Sequence, residues 1–460
     1  MLIAALIFPV LFLAAYIILS IAQPDVIYLP DTLNIVTVFL TLWASILIRN
    51  GYARGVCFFW SIWFMLGSVS LYAQNQVQGG LNYKIDPTSA NQYYLYCVAA
   101  AVAMILVLEK VIGRRAPDAP VRLVRGSNQL VWLLVLAFPL FYAASIYLAT
   151  GDIPIFSGRN VSAAMYEVDY GPLHGFGIFV TIAALMAWEK AGDRASIAGR
   201  SPLRLATLAL VGFLLLVAAM DGRRALAIFA LFGIILFASA EPARPVERIK
   251  VVLIAALALL GYVTAATVRT GSEASKAFAS IWEPLSTIGT EYRDYVYGFV
   301  RLSRDDVLGA GYDWLGSTLA ALTPSVFLNA LSIDKAATIQ TDSARILMNF
   351  WNVKLGILIG LPGELWFAYE WAGVAVFAFF GAAVYGVSAL AVRTNHFVYR
   401  AILLSLLGVW ATSVQGQSTV TFGLLLPLLY FSFFILLIEF VSNRRTHVPT
   451  AANAARRPRW

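Results

Sequence analysis

Apolar runs of roughly 20 residues recur along this chain from one end to the other, and that length matches the hydrocarbon thickness of a bilayer. A run in hydrocarbon must satisfy its own backbone polar groups, so each run reads as a membrane-spanning helix. The expected spans are Leu2–Ala22, Asp31–Ile48, Gly55–Tyr72, Asn91–Leu108, Leu130–Thr150 and Pro172–Trp188. They continue with Leu205–Met220, Ala225–Ala240, Val251–Val268, Trp371–Val392, Ala401–Val414 and Val420–Val441. The fold class expected is thus an all-α polytopic membrane protein with about twelve transmembrane helices. Composition agrees, since 60% of the 460 residues are hydrophobic and only 13% charged, against roughly 25% charged in a soluble domain. Pro139 and Pro427 fall within spans, where neighbouring helices can satisfy the freed carbonyls. The opening Leu2-Ile3-Ala4 lacks a basic stretch, so Leu2–Ala22 is expected to be a retained helix and not a cleaved signal.

Orientation follows from where the basic residues fall. Alternate connections hold Arg49 and Arg54, then Lys110, Arg114, Arg115, Arg122 and Arg125, then Lys190, Arg194, Arg200 and Arg204. The series continues through Arg244, Arg248 and Lys250, then Arg393 and Arg400, and ends in a basic tail with Arg444, Arg445, Arg456, Arg457 and Arg459. These are most of the 33 lysines and arginines, while the opposite short connections hold only Lys84, Arg159, Arg223 and Arg224. The positive-inside rule therefore predicts both termini in the cytoplasm. The same distribution excludes nucleic acid as the partner behind the net charge of +8, because the basic residues sit in short loops, as topology requires. Cys57 and Cys97 lie inside apolar runs and read as small hydrophobes, with no disulfide framework or metal site implied.

One connection differs from the rest. The domain organisation expected is a first set of nine helices over 1–268, a large outer segment over 269–370, three helices over 371–441, and the basic cytoplasmic tail over 442–460. An outer segment so long is rare unless it is functional. It carries Trp282, Tyr292, Tyr295, Tyr297, Phe299, Tyr312, Trp314, Phe327, Phe350, Trp351 and Trp366, so it reads as short helices lying against the outer membrane face. Leu315–Leu331 is apolar but interrupted by Pro324 and polar at its ends, and is not taken as a span. Two readings of these aromatics stand: an interfacial belt, or a sugar-binding groove.

Candidate chemistry gathers at the outer face. Arg159 ends the stretch Gly151-Asp152-Ile153-Pro154-Ile155-Phe156-Ser157-Gly158-Arg159 ahead of the sixth span, and Arg223 and Arg224 top the eighth in a tight Asp221-Gly222-Arg223-Arg224 turn. Both helices run inward, so their positive N-terminal ends face outward, and arginine there suits an anion, phosphate above all. The alternative is arginines snorkelling to lipid phosphates. The outer segment adds Arg293 and Arg345, with Asp342 one helical turn before Arg345. Glu364 and Glu370 flank the start of the tenth span, where a carboxylate is either a helix-dipole partner or a general base. His174 is the only outer histidine and could carry a proton, donate to an anion or make an interfacial hydrogen bond. No GxxxxGK[ST] loop or HExxH motif occurs, and no ionisable residue sits at the centre of a confident span, which disfavours an ion-coupled carrier.

The Gly-Asp-Ile-Pro-Ile-Phe-Ser-Gly-Arg stretch ending at Arg159, the Gly222-Arg223-Arg224 turn, the large outer segment, and Gly363-Glu364-Leu365-Trp366 followed by Glu370-Trp371-Ala372-Gly373 together resemble the bacterial O-antigen polymerases, the Wzy-type oligosaccharide repeat-unit polymerases, which are similar to the O-antigen ligases. An Arg-x10-Gly spacing of some members is met by Arg345 and Gly356, while Arg159 to Gly171 is one residue longer. The resemblance implies a class C-like glycosyltransferase fold in the bacterial inner membrane, with its active site on the periplasmic face. It implies a glycan donor and acceptor both linked to undecaprenyl diphosphate, the surrounding membrane lipid, and a chain-length regulator as a possible partner. No metal or other cofactor is expected. Arg159, Arg223, Arg224, Arg345 and Arg293 would hold the diphosphate, and Glu364, Asp342 or His174 would serve the acceptor hydroxyl. A ligase, a flippase or transporter of a lipid-linked anionic solute, and a non-catalytic membrane subunit are the alternatives. Alkaline phosphatase inserted after Gly158 is predicted to be active and the same enzyme fused after Thr446 inactive; the reverse pattern would invert the topology.

Overall fold

The fold, a computed structural model, is described for residues 32–73, 88–112, 129–151, 177–192, 201–219, 233–234, 299, 303, 312–334, 346, 359–394, 396–414 and 418–446. Within them the long helices are α1 (Thr32–Leu47), α2 (Gly51–Ala73), α3 (Thr88–Ile112), α4 (Gln129–Thr150), α5 (Gly177–Gly192) and α6 (Ser201–Ala219). Residues 269–370 contribute α7 (Trp314–Leu322), α8 (Ser325–Ala330) and α9 (Gly360–Tyr369). Then follow α10 (Ala372–Arg393), α11 (Phe397–Ala411), a 3-10 turn at Thr412–Val414, α12 (Ser418–Gly423) and α13 (Leu425–Thr446). These helices coincide with the second to seventh and tenth to twelfth expected spans; the first and ninth, and all of the eighth but residues 233–234, lie outside the described residues. Three stretches, Ser89–Ile112, Ala372–Arg393 and Thr421–Ile438, are long and apolar enough to cross a membrane, and shorter apolar helices accompany them. The chain is a helical membrane protein. Pro139 sits inside α4, which continues through it, and Pro427 occupies the first turn of α13, where its missing N–H costs no helical bond.

The axis of the bundle is the contact between α3 and α10, the most extensive between any two described helices. The two run parallel. Tyr93 near the start of α3 meets Trp371 just ahead of α10, with ring centroids 5.8 Å apart, and Ala101 lies against Gly381 further along both. A Cβ on Gly381 would stand 2.8 Å from the Ala101 carbonyl oxygen, so only glycine lets the two backbones approach this closely. Lys110 and Arg393 close the last turns of these helices, so both basic ends lie at one end of the bundle.

Around this pair the other helices use small polar glue typical of membrane interiors. The hydroxyl oxygens of Ser45 on α1 and Ser61 on α2 lie 3.2 Å apart, and each also lies within hydrogen-bond distance of the carbonyl four residues back in its own helix, so one of the two turns its proton across to the other or back to its own chain. Trp60 of α2 donates its indole N–H to the carbonyl of Ala411 at 2.9 Å, satisfying a carbonyl left open where α11 ends, and its ring packs on Phe377 and Phe380. At the basic end, the Glu109 carboxylate accepts the backbone N–H groups of Arg49 and Asn50, and Asn50 in turn caps α2 through Tyr52 and Ala53. Arg400 donates to the carbonyl of Thr394, closing the end of α10 against the start of α11.

The Leu315–Leu331 stretch folds as two short helices, broken at Thr323-Pro324 where proline ends the first. Asp313 caps α7 by accepting the N–H of Gly316. On α7, Trp314, Ser317, Thr318, Ala320 and Ala321 are buried while Leu315 and Leu319 are half exposed, small residues turned inward and leucines outward as suits a helix against lipid. Val326, Phe327 and Leu331 extend the exposed apolar side along α8. From the α3–α10 contact, Gly381→Leu is expected to lower the thermal stability of the purified protein by about 1–3 kcal/mol. The matched Gly386→Leu, where a Cβ meets nothing within 4 Å, is expected to stay near wild type; equal losses would contradict the packing described.

Candidate functional site

The sequence places Glu364 and Glu370 together at the mouth of the tenth span, and the structure separates them. The span proper begins at Ala372, and α9 is a helix of its own that ends at Tyr369. Glu370 occupies the break with φ +49°, a conformation non-glycine residues rarely take, and its side chain is exposed. Glu364 is 1% exposed, the one acidic side chain in the buried set among the described residues. It lies in the second turn of α9, beyond the first-turn N–H groups that a helix-dipole partner would serve.

Several contacts fix α9 in place. Ile359 and Gly360 enter the helix through a left-handed glycine, φ +69°, whose missing side chain lets the backbone lie against the Val414 carbonyl. Tyr94 of α3 donates its hydroxyl to the Ile359 carbonyl. The whole run Gly360–Leu365 is buried, held among α3, α10, the 3-10 turn at Thr412–Val414, α12 and α7. Above the start of α3 an aromatic cluster seals the same end: Tyr93 stacks on Phe299 at 6.2 Å and meets Trp366 edge-on at 4.9 Å, while Phe299 also packs on Tyr94 and Phe367. Phe299 is thus a buried core residue, and Trp366 packs partly buried against the same core.

Glu364 meets the first residue of α12. Its Oε2 accepts the backbone N–H of Ser418 at 2.8 Å, which closes one of the donors left open at the start of α12. Further buried polar side chains lie on the elements that pack against α9. Ser317 and Thr318 on α7 and Ser418 and Thr421 on α12 are all buried, and α7 packs on α12. Ser413 lies fully buried in the 3-10 turn that packs on α9. The Trp314 ring meets Tyr369 at the end of α9 at 5.6 Å and Phe422 of α12 at 6.4 Å. Trp314 Nε1, Thr318 Oγ1 and Ser413 Oγ have no hydrogen-bond partner. A buried group left unpaired costs about 1–3 kcal/mol, so this corner of the fold is kept polar against its own stability.

Of the candidates read from sequence, Glu364 and Glu370 are among the described residues, and of the two only Glu364 is buried. Asp342, His174, Arg159, Arg223, Arg224, Arg345 and Arg293 lie outside the described residues. The sequence reading passed over Trp314 as one aromatic among many, and it did not single out Ser413, Ser418 or Thr318. The signal available was the polar run Thr412-Ser413-Val414-Gln415-Gly416-Gln417-Ser418-Thr419 between two apolar stretches. Compared with protein-family models, with curated proteins and with solved structures, the chain has no match. Its function is therefore argued from its own residues. Glu364→Ala removes the acceptor of the buried Ser418 N–H and is expected to destabilise the purified protein by about 1–3 kcal/mol, whereas Glu364→Gln keeps an oxygen there and stays closer to wild type. Equal melting of both variants with wild type would show that the contact does not hold α12.

Proposed function

We propose that this chain is a glycosyltransferase that polymerises oligosaccharide repeat units carried on undecaprenyl diphosphate, acting at the periplasmic face of the bacterial inner membrane, with Glu364 as the base. The observation that carries the reading is the burial of the Glu364 carboxylate, the one buried acid among the described residues, at the end of the bundle opposite the basic ends of α3 and α10. A buried acid in a membrane protein is costly and is retained where it works on a substrate. The finer architecture belongs to the same proposal: about twelve spans with both termini cytoplasmic, a class C-like arrangement, and the outer segment lying on the periplasmic side.

The reaction asks little beyond positioning and charge. A hydroxyl at the non-reducing end of the acceptor repeat unit gives its proton to the Glu364 carboxylate as its oxygen attacks the anomeric carbon of the donor glycan. The bond from that carbon to the diphosphate oxygen breaks, and the electron pair leaves with undecaprenyl diphosphate. The growing glycan is now bonded to the acceptor. Negative charge builds on the departing diphosphate, and Arg159, Arg223, Arg224, Arg345 and Arg293 are proposed to stabilise it. Asp342 and His174 are the other candidate proton acceptors. A seat for the acceptor hydroxyl at Glu364 is supported by the absence of any Lys or Arg from α7, α9, α12 and the Thr412–Val414 turn, which leaves the diphosphate to the arginine-bearing connections.

The test uses purified full-length protein with undecaprenyl-diphosphate-linked repeat units, without nucleotide sugar and with EDTA present. A ladder of lengthened lipid-linked products is expected, with Glu364→Gln lowering the rate at least 100-fold, the lower range of general-base contributions. Transfer of preformed polymer to a lipid or protein acceptor, without a ladder, would make the chain a ligase. An unaffected Glu364→Gln ladder would move the base elsewhere.

A further inference from the structure

We infer that α7 and α8 form a re-entrant hairpin sunk in the bilayer leaflet at the Glu364 end of the bundle, with Leu315, Leu319, Val326 and Phe327 facing lipid acyl chains. The inference does not depend on the proposed reaction. It sets these helices deeper than the outer membrane face on which the sequence alone places them.

Depth is read from the neighbours of α7. Its first residue, Trp314, lies against Tyr369, the last residue of α9, at the mouth of the break between α9 and α10. Trp314 also meets Phe422 of α12, and Phe422 packs on Phe380 with ring centroids 5.8 Å apart. Phe380 stands about 12 Å along the axis from the start of α10 at Ala372. The last turn of α7 keeps to this level: a Cβ on Gly423 would stand 3.6 Å from the Ala321 methyl. Gly423 falls within Thr421–Ile438, one of the stretches long and apolar enough to cross a membrane. Helix α7 is itself about 13 Å long, close to the hydrocarbon depth of one leaflet. It therefore lies beside the spanning helices and not above them.

The stretch is built for hydrocarbon. From Trp314 to Ile333 no residue is charged, and Asp313 and Asp334 bound it on either side. The break at Thr323-Pro324 pairs its own polar groups. The Thr323 N–H reaches the Ala320 carbonyl, the Thr323 hydroxyl donates to the Leu319 carbonyl, and the Phe327 N–H reaches the Pro324 carbonyl. Hydrocarbon demands such internal pairing and water does not. Leu328 is the one buried side chain of α8, and so short a helix with so little packing is not stable in water. Polar side chains return at Asn329, Ser332 and Asp334, where the chain climbs back to water. The apolar face also continues a lipid-facing surface. Helix α7 packs on α12, which leads into the span α13, whose Leu429, Phe433 and Phe434 are more than half exposed. Leu315, Leu319, Val326 and Phe327 prolong that surface.

The experiment reconstitutes the full chain in vesicles of phosphatidylethanolamine and phosphatidylglycerol, free of polyprenyl lipid. A phospholipid with a diazirine at the end of one acyl chain is included, and adducts are mapped by mass spectrometry. Leu319 and Phe327 are expected to be labelled to the same extent as Leu429 and Phe433 of α13, and to escape oxidation by hydroxyl radicals generated in the water. Moving the diazirine next to the headgroup is expected to shift the α7 adducts from Leu319 towards Leu315. Loss of the acyl-chain adducts from α7 and α8, with α13 labelled normally, overturns the inference. Oxidation of Leu319 and Phe327 in that case puts the helices on the membrane surface. Adducts that return when the protein is diluted in lipid put a second copy of the chain over this face instead.

Discussion

The close parallel approach of α3 and α10 sets the register of everything at the far end of the bundle. Once Gly381 admits the Ala101 backbone, Tyr93 and Tyr94 must emerge beside the start of α10, and there they hold α9. Tyr94 anchors its first carbonyl and Tyr93 packs on Trp366. A bulkier residue at position 381 would separate the helices along their length and shift both tyrosines relative to Ile359. In hydrocarbon no hydrophobic force pulls helices together, so such close packing carries more of the burden than in water.

What that packing holds is chemically unusual. Helix α9 is buried over its first six residues and carries a carboxylate into the junction, where the nearest described helices offer serine and threonine. The Ser418 N–H gives the carboxylate one fixed bond and so a fixed orientation. Orientation of this kind is what a base needs if it is to meet a hydroxyl in a reactive pose. The opposite end of the bundle is different in kind. Glu109, Arg49, Asn50, Arg400 and Thr394 there satisfy one another or the backbone, as a structural cap does.

Much of the fold was legible because hydrocarbon imposes a simple length rule. The apolar runs of α1 to α6, α10, α11 and α13 fell where helices form, and Pro324 broke the Leu315–Leu331 stretch as its ring requires. Glu364 could be singled out from a charged residue set in an apolar neighbourhood. Its separation from Glu370 could not, because from Gly360 to Val387 those two acids are the only charged or hydroxyl-bearing aliphatic side chains, and the break at Glu370 uses a left-handed residue that is not glycine. The surroundings of α9 were equally hidden. Serine and threonine are ordinary in membrane helices, where they bond back to their own backbone as Ser405 and Ser432 do here. Only the fold reveals that α7 and α12 pack against α9. Contacts such as Tyr94 to Ile359 join residues with no local pattern in common.

The central claim is that an acceptor sugar sits against Glu364. The most direct measurement is photocrosslinking from a lipid-linked repeat unit bearing a diazirine on its non-reducing terminal sugar, with the attachment points mapped by mass spectrometry. The account predicts adducts within Ile359–Leu365, Thr412–Thr421 and Trp314–Thr318, competed away by unmodified repeat unit. Competable adducts confined to other parts of the chain would contradict it.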